Sequence, residues 1–334
     1  MKLLVSTPLQ IFLLDTVSKE KVIVRCGDGY YFGITHKQNV IVLSHSGGYL
    51  QYYSNSNVKP LQTKNHLIQP HQIEWIGDHV FVTNTGKNCI SIYDSQGNLF
   101  RDLYLNDIHW DDKDHDRAGN HFNSVHKINQ KIYIVAHNYA RPSEVYELSW
   151  PDLTTLNKIV TNASWAHNLM SYEHGLIICN SKSQSLFDIH GGRDIWRADE
   201  PGAITRGLAA SKDYFFVGQS NYAERKERYW KTGGVWIVDR NSLKTVDKIT
   251  LPGSGDVQEI RILDELDDGH NGEIIPFVEL ANITRKSPSI ALAYELRSRY
   301  PLLQKNIFPF SQIVRTAQMT WRWRRTFNNK LHGL

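Results

Sequence analysis

Six stretches of the chain share one register, and a polar side chain opens each of them. They are Lys21-Val22-Ile23, His71-Gln72-Ile73, Asn123-Ser124-Val125, His167-Asn168-Leu169, Arg206-Gly207-Leu208 and Gln258-Glu259-Ile260. In the first five, a second apolar run begins seven positions after the third residue: Tyr30–Phe32, Val80–Val82, Ile132–Ile134, Leu176–Ile178 and Phe215–Val217. Successive units start 39 to 52 residues apart, the period of a β-propeller blade and of no common helical hairpin repeat with this strand pattern. If each unit opens a blade, its leading side chain borders a shared central channel. Two histidines, an asparagine and an arginine then face one another.

The second unit shows the blade plan most clearly. Pro70–Ile76 reads as an innermost strand, Gly77-Asp78 as a turn, His79–Asn84 as a second strand and Thr85–Asn88 as another turn. Cys89–Tyr93 and Leu99–Leu105 complete four antiparallel strands. The third and fourth units repeat the plan, and the fifth carries an insertion at Asn221–Thr232. In the sixth, Val257–Leu263 is the inner strand and Ile274–Leu280 the second, with Leu3–Val5 and Ile11–Leu14 supplying the outer strands. Joining both ends of the chain in one blade closes the ring and removes exposed sheet edges. The expected fold is all-β, a six-bladed β-propeller over residues 1–286, or seven-bladed if the first and sixth units are separate. Ser287-Pro288 and the apolar spacing that follows, with a second stretch over Ser311–Phe327, predict a helical C-terminal extension over residues 287–334.

Aromatic residues make up 11% of the chain, a richness that suits strands and sheet packing. Three cysteines, Cys26, Cys89 and Cys179, lie in or beside apolar runs and read as buried thiols of a reducing compartment. The N-terminal apolar run is interrupted by Ser6-Thr7-Pro8 and closed by Asp15, which reads as a strand and not a leader. No apolar stretch reaches the ~20 residues of a membrane-spanning helix. A cytoplasmic location is the expectation.

Net charge is +4, but it is unevenly placed. No acidic residue follows Glu295, whereas eight basic ones do: Arg297, Arg299, Lys305, Arg315, Arg322, Arg324, Arg325 and Lys330. Removing those eight from +4 leaves residues 1–295 at −4. The body therefore carries the wrong sign for a nucleic-acid footprint. The tail, with Trp321 and Trp323 interleaved, reads either as a solvated helix packed on the propeller or as a contact for a protein or an anionic membrane through residues 296–334.

In a propeller, the loops entering the innermost strands and those between second and third strands share one face. Here that face collects His71, His121, Asn123, His167 and Arg206 from the first set. Asn84, His137, Asn138, Arg141 and Asn180 come from the second, beside the acidic and histidine-rich loop of residues 109–116. Neutral imidazoles and carboxylates ligate divalent metals, so His71, His121, His167 and Glu259 are the candidate ligands for one divalent ion. His71 and His167 could equally act as acid–base groups, with Asn123 orienting a substrate. His137 is a candidate general base, and Arg206 would anchor a carboxylate, sulfate or phosphate. The alternative is a polar ring whose members only hydrogen-bond one another and ordered water. G-x-S-x-G, H-E-x-x-H, phosphate-loop and C-x-x-C patterns are all absent from the sequence.

Two resemblances follow from these residues. Pro70-His71-Gln72-Ile73 through Asn84-Thr85-Gly86-Lys87-Asn88 to Tyr93-Asp94 resembles an NHL-type propeller repeat. Residues 65 to 265 resemble an uncharacterised bacterial propeller family of unknown function. The match is carried by Pro70-His71, Asn123-Ser124-Val125, Arg206-Gly207-Leu208-Ala209, Phe216-Val217-Gly218, Gly234–Asp239 and Val257–Ile260. That resemblance implies a propeller and a bacterial source but no reaction. More distantly the chain is similar to six-bladed lactonases and strictosidine-synthase-like enzymes, whose metal sites use carboxylate and asparagine ligands. The present ring is richer in histidine and contains an arginine. The expectation is a small-molecule site at the channel mouth, with hydrolase or lyase chemistry on a polar or anionic metabolite. Its rival is a non-catalytic interaction scaffold docked through the basic tail.

Overall fold

Runs such as Val80-Phe81-Val82 are apolar at every position because a propeller strand is buried on both faces. Phe81 packs toward one neighbouring blade, while Val80 and Val82 pack toward the other. The computed structural model describes residues 1–27, 29–38, 40–54, 60–108, 119–223, 228, 231–270, 284–286 and 291. Within them the chain forms six sheets arranged as the blades of a propeller, antiparallel apart from one short parallel strand.

Strands β1 (Lys2–Ser6), β2 (Gln10–Asp15) and β3 (Lys21–Cys26) belong to the closing blade. The first complete blade holds β4 (Tyr31–Lys37), β5 (Val40–His45), β6 (Tyr49–Ser54) and β7 (Leu61–Gln62). The second holds β8 (Pro70–Ile76), β9 (His79–Asn84), β10 (Cys89–Asp94) and β11 (Leu99–Leu103), much as the sequence pattern predicts. The third holds β12 (Phe122–Ile128), β13 (Lys131–Ala136), β14 (Glu144–Ser149) and β15 (Thr155–Val160). The fourth holds β16 (Ala166–Tyr172), β17 (Gly175–Asn180), β18 (Ser185–Asp188) and β19 (Arg193–Arg197). The fifth holds β20 (Ala203–Ala210), β21 (Tyr214–Asn221), β22 (Gly233–Asp239) and β23 (Thr245–Leu251). Finally β24 (Glu259–Ile262) returns to pair with β1, and β25 (Arg285–Lys286) adds in parallel to β3.

Closure differs from the sequence expectation in one respect. The sixth blade takes its inner strand from the C-terminal side and three strands, not two, from the N-terminus. Lys21-Val22-Ile23 therefore opens an outer strand, and Phe32-Gly33-Ile34 in β4 occupies the inner register of the first complete blade. The expected second strand at residues 274–280 lies outside the described residues, as does nearly all of 287–334. The ladder between the two chain ends is long. Leu3–Ser6 pair with Glu259–Ile262, and the Gln258 and Leu263 amides extend it to Ser6 and Lys2.

Six apolar clusters fill the six interfaces between neighbouring blades. Leu3, Val5 and Phe12 pack with Phe216, Val235 and Ile260 between the fifth and closing blades. Leu4 and Ile11 face the opposite way, into Tyr31, Ile34 and Leu43. Alternation along one strand thus fills two interfaces, which is how a ring of sheets obtains a core without a central one. Cys26, Cys89 and Cys179 are buried thiols within this packing.

The channel-facing edge of each innermost strand has amides that the sheet does not pair. Side chains from neighbouring blades satisfy them: Thr35 Oγ1 accepts from the Trp75 amide (2.9 Å), and Gln72 Oε1 from Val125 (2.6 Å). Ser124 Oγ accepts from Asn168 (2.8 Å), and Asn168 Oδ1 from Gly207 (2.8 Å). All five complete blades have a register shift in the first half or middle of the inner strand, at or close to these residues. Such bulges turn a side chain out of the sheet plane and toward the channel.

Candidate functional site

At the mouth where the innermost strands begin, four imidazoles meet. His71 and His121 ring centroids are 4.9 Å apart, His121 and His137 5.0 Å, and His137 and His167 5.3 Å. Phe32 stacks on His71 at one end, while Trp165 and then Tyr222 stack beyond His137 at the other. Gln69, His121 and Trp165, which stand two residues before the leading positions of three successive blades, all adopt left-handed backbone (φ 48°, 52° and 57°). This repeated turn delivers each chain into its bulge.

Two of the rings are held by the same local device. The Nδ1–H of His71 donates to the Gln69 carbonyl (2.9 Å) and lies 2.9 Å from Thr85 Oγ1, whose hydroxyl donates to the Phe122 carbonyl in the next blade. His167 repeats it with the Trp165 carbonyl (2.8 Å), Ser181 Oγ (2.9 Å) and the Thr205 carbonyl. A carbonyl can only accept, so both neutral rings carry the proton on Nδ1 and a lone pair on Nε2. His137 is the reverse: its Nδ1 accepts from the Tyr139 amide (3.1 Å), leaving the proton on Nε2. His121 Nδ1 pairs with the Tyr139 hydroxyl at 2.5 Å.

Burial is the main reason three of these rings stay uncharged. It lowers the pKa of His121 and His167 well below the ordinary imidazole value, and that of His137 to about 3. Arg206 reinforces the effect at all three, and Arg228 at His137. Asp256, also buried here, is pushed up to about 6 by desolvation against the pull of the same two arginines. The mouth therefore combines neutral acceptors and donors with two guanidinium groups.

The sequence-derived residues fall into three groups. His71, His121, His137, His167 and Arg206 come together at the mouth. Asn123 lies beside them but is buried as a strut, its Nδ2 donating to the Ala166 carbonyl (2.8 Å) and its Oδ1 accepting from Ser124 (3.1 Å). Asn84 and Asn180 brace the loops entering their blades, each accepting from an amide sixteen residues earlier. Glu259, expected to share a metal with the three histidines, instead neighbours Arg261 and His270, because it follows the closing blade's lead and lies further along the channel. The loop at residues 109–116 lies outside the described residues.

A second polar layer follows three positions after the leads, at Glu74, His126 and Arg261. Glu74 Oε2 is 3.2 Å from His270 Nδ1 and 3.5 Å from Arg261 Nη2, while Arg261 Nε donates to the Ile34 carbonyl (2.7 Å) and Nη2 to Ile73 (3.2 Å). Desolvation raises Glu259 to about 8 and Asp267 to about 7, the latter against three backbone amides that donate to it. Glu74, His126 and His270 offer ligand atoms within 4.8 Å of one another, so this buried group could hold a metal ion. The recurrence of Glu74, His126 and Arg261 at one offset was readable in the sequence. His270 was not, since it follows the last repeat in a turn.

Comparison with known proteins bears on the fold. No family model matches the chain, and no curated protein does, so the resemblance to NHL-type repeats and the bacterial source gain no support from sequence. Among solved structures, a chain of the nidogen/laminin complex is similar with a TM-score of 0.59 and 12% identity, covering 78% of this chain and 97% of that one. A Bacteroides caccae protein of unknown function gives 0.55 and 13%, with 78% and 97% coverage. The WD40 β-propeller domain of Doa1 gives 0.51 and 11%, with 80% and 85%. At such identities the likeness shows the propeller fold alone. No helix among the described residues is long and apolar enough to cross a membrane.

Proposed function

We propose that the propeller binds a small anionic molecule at its histidine-lined mouth. Arg206 and Arg228 would anchor its carboxylate, phosphate or sulfate, and the imidazoles would hydrogen-bond the rest. One observation carries the reading: His121, His137 and His167 are held uncharged beside two arginines. A neutral ring with its other nitrogen fixed to a carbonyl, as in His167, is arranged to accept a proton from a bound molecule. That supports hydrolase or lyase chemistry, with His167 or His71 as base and His137 Nε2–H as donor.

The test is a thermal-shift and calorimetric screen of carboxylates, phosphate monoesters and sulfate monoesters, with and without zinc. Binding should weaken about 10- to 100-fold in Arg206→Gln, the loss of one charge-assisted hydrogen-bonded contact. It should also weaken in His167→Gln, and be tighter at pH 5 than at pH 8, because Asp256, which competes for the two arginines when ionised, is uncharged below about 6. Failure of every class to bind, or binding indifferent to Arg206→Gln, overturns the reading.

A further inference from the structure

We propose that Glu74, His126 and His270 form a binding site for a zinc-like divalent cation, separate from the histidine-lined mouth. The innermost strands end at the other face of the ring, where a cleft of about 350 Å3 gives access from solvent. Glu74 and His270 line it, together with Trp75, Trp150 and Lys127. Two nitrogens and one carboxylate oxygen are the donor set of zinc, cobalt and nickel, not of calcium or magnesium.

His270 is posed as a ligand. Its Nε2–H donates to the Leu208 carbonyl at 3.1 Å, so the lone pair of the neutral ring is on Nδ1, which faces Glu74 Oε2 at 3.2 Å. Without metal a proton bridges these two atoms as a hydrogen bond, and a cation would take its place. His126 Nδ1 is fully buried and makes no well-formed hydrogen bond, with the Gly269 backbone its nearest polar neighbour. Its Nε2 accepts from the Leu169 amide (3.1 Å), so ligation by this ring gives up that hydrogen bond for a metal bond. The donors lie within 4.8 Å of one another and need to close to about 3.4 Å for bonds of about 2.0–2.1 Å in a tetrahedron.

The surroundings are rich in further oxygen donors. Glu74, Glu259 and Asp267 are three buried carboxyl groups around a single buried guanidinium, Arg261, and neither Glu259 oxygen has a hydrogen-bond partner among the described residues. The donors also come from distant parts of the chain: the second blade, the third blade and the turn after β24. Bound metal would therefore tie the closing segment to the far side of the ring.

The experiment uses the full chain stripped with chelator, titrated with Zn2+ by calorimetry and with Co2+ by visible absorption. One equivalent should bind with a Kd below about 1 μM, give the bands of tetrahedral cobalt and raise the melting temperature. His270→Ala, in a turn and checked for fold by circular dichroism, should lose about 100-fold or more in affinity by removal of a ligand. Glu74→Gln should do the same, while the His71→Ala/His167→Ala double variant should bind as the wild type does. No binding to folded wild type overturns the proposal. So does binding that survives His270→Ala, or binding lost in the double variant, which would assign the ion to the mouth.

Discussion

Replacing Arg261 with methionine should remove a large part of the stability of the ring. Arg261 is 1% exposed, leaves the closing blade, and reaches the Ile34 and Ile73 carbonyls of the first and second blades as well as Glu74. Methionine fills much of the volume but supplies no donor. Breaking one side of a buried ion pair costs about 3–5 kcal/mol, because the partner charge stays buried. Each orphaned carbonyl adds about 1 kcal/mol or more. These terms overlap, so the expected loss is about 4–6 kcal/mol, against about 5–15 kcal/mol for a typical domain. Urea unfolding followed by tryptophan fluorescence reads it directly. The second variant isolates the charge. Adding Glu74→Gln to Arg261→Met neutralises the abandoned carboxylate and should restore about 2 kcal/mol of that loss. A single variant within about 1 kcal/mol of wild type, or a double variant no more stable than the single, would refute this account of the channel.

Other expectations are as direct. Gly33→Ala should destabilise by about 1–3 kcal/mol, since its Cβ would stand 2.8 Å from the Ile73 nitrogen and 3.0 Å from the His71 oxygen, both backbone; an unchanged melting temperature contradicts this. Asn168→Ala leaves the Gly207 amide without its acceptor and should cost about 1–3 kcal/mol, with faster hydrogen exchange at Gly207, whereas Asn168→Asp keeps the acceptor and the protection. The pH profile has two opposed limbs. His137 titrates near 3 in the fold but near 6.5 unfolded, so its contribution is complete above about 6.5 and falls as pH drops toward 3, by about 2 kcal/mol at pH 5. Asp256, raised from 3.8 to about 6, contributes below 3.8 and loses that contribution as pH rises through 6. His137→Gln should flatten the first limb and Asp256→Asn the second in urea midpoints from pH 4 to 8; unchanged slopes would exclude both assignments.

Most of the blade plan was legible because a strand buried on both faces must be apolar throughout and must end in turn residues. The second blade matches its predicted bounds to within a residue or two for that reason. The first unit misled because Lys21-Val22-Ile23 carries the same local pattern as an inner strand. Only the pairing of β24 with β1 shows that three N-terminal strands already belong to another blade. At the mouth, His71, His121, His137, His167 and Arg206 were placed together by topology, since propeller loops of two kinds share one face. Asn123 was expected to meet a substrate, but its amide donates to the Ala166 carbonyl of the next blade, which geometry alone reveals.

The repeat spacing and the polar leads determined the architecture and the mouth, because both follow from local periodicity read against a ring. Which histidines stay neutral, which ring nitrogen bears the proton and where Glu259 lies were decided only by the tertiary structure. Those properties depend on burial and on partners hundreds of residues away, such as Glu74 with His270 and Arg261 with Ile34. A sequence pattern records neighbours along the chain. The closure of the ring chooses neighbours in space, and the chemistry of the channel belongs to those.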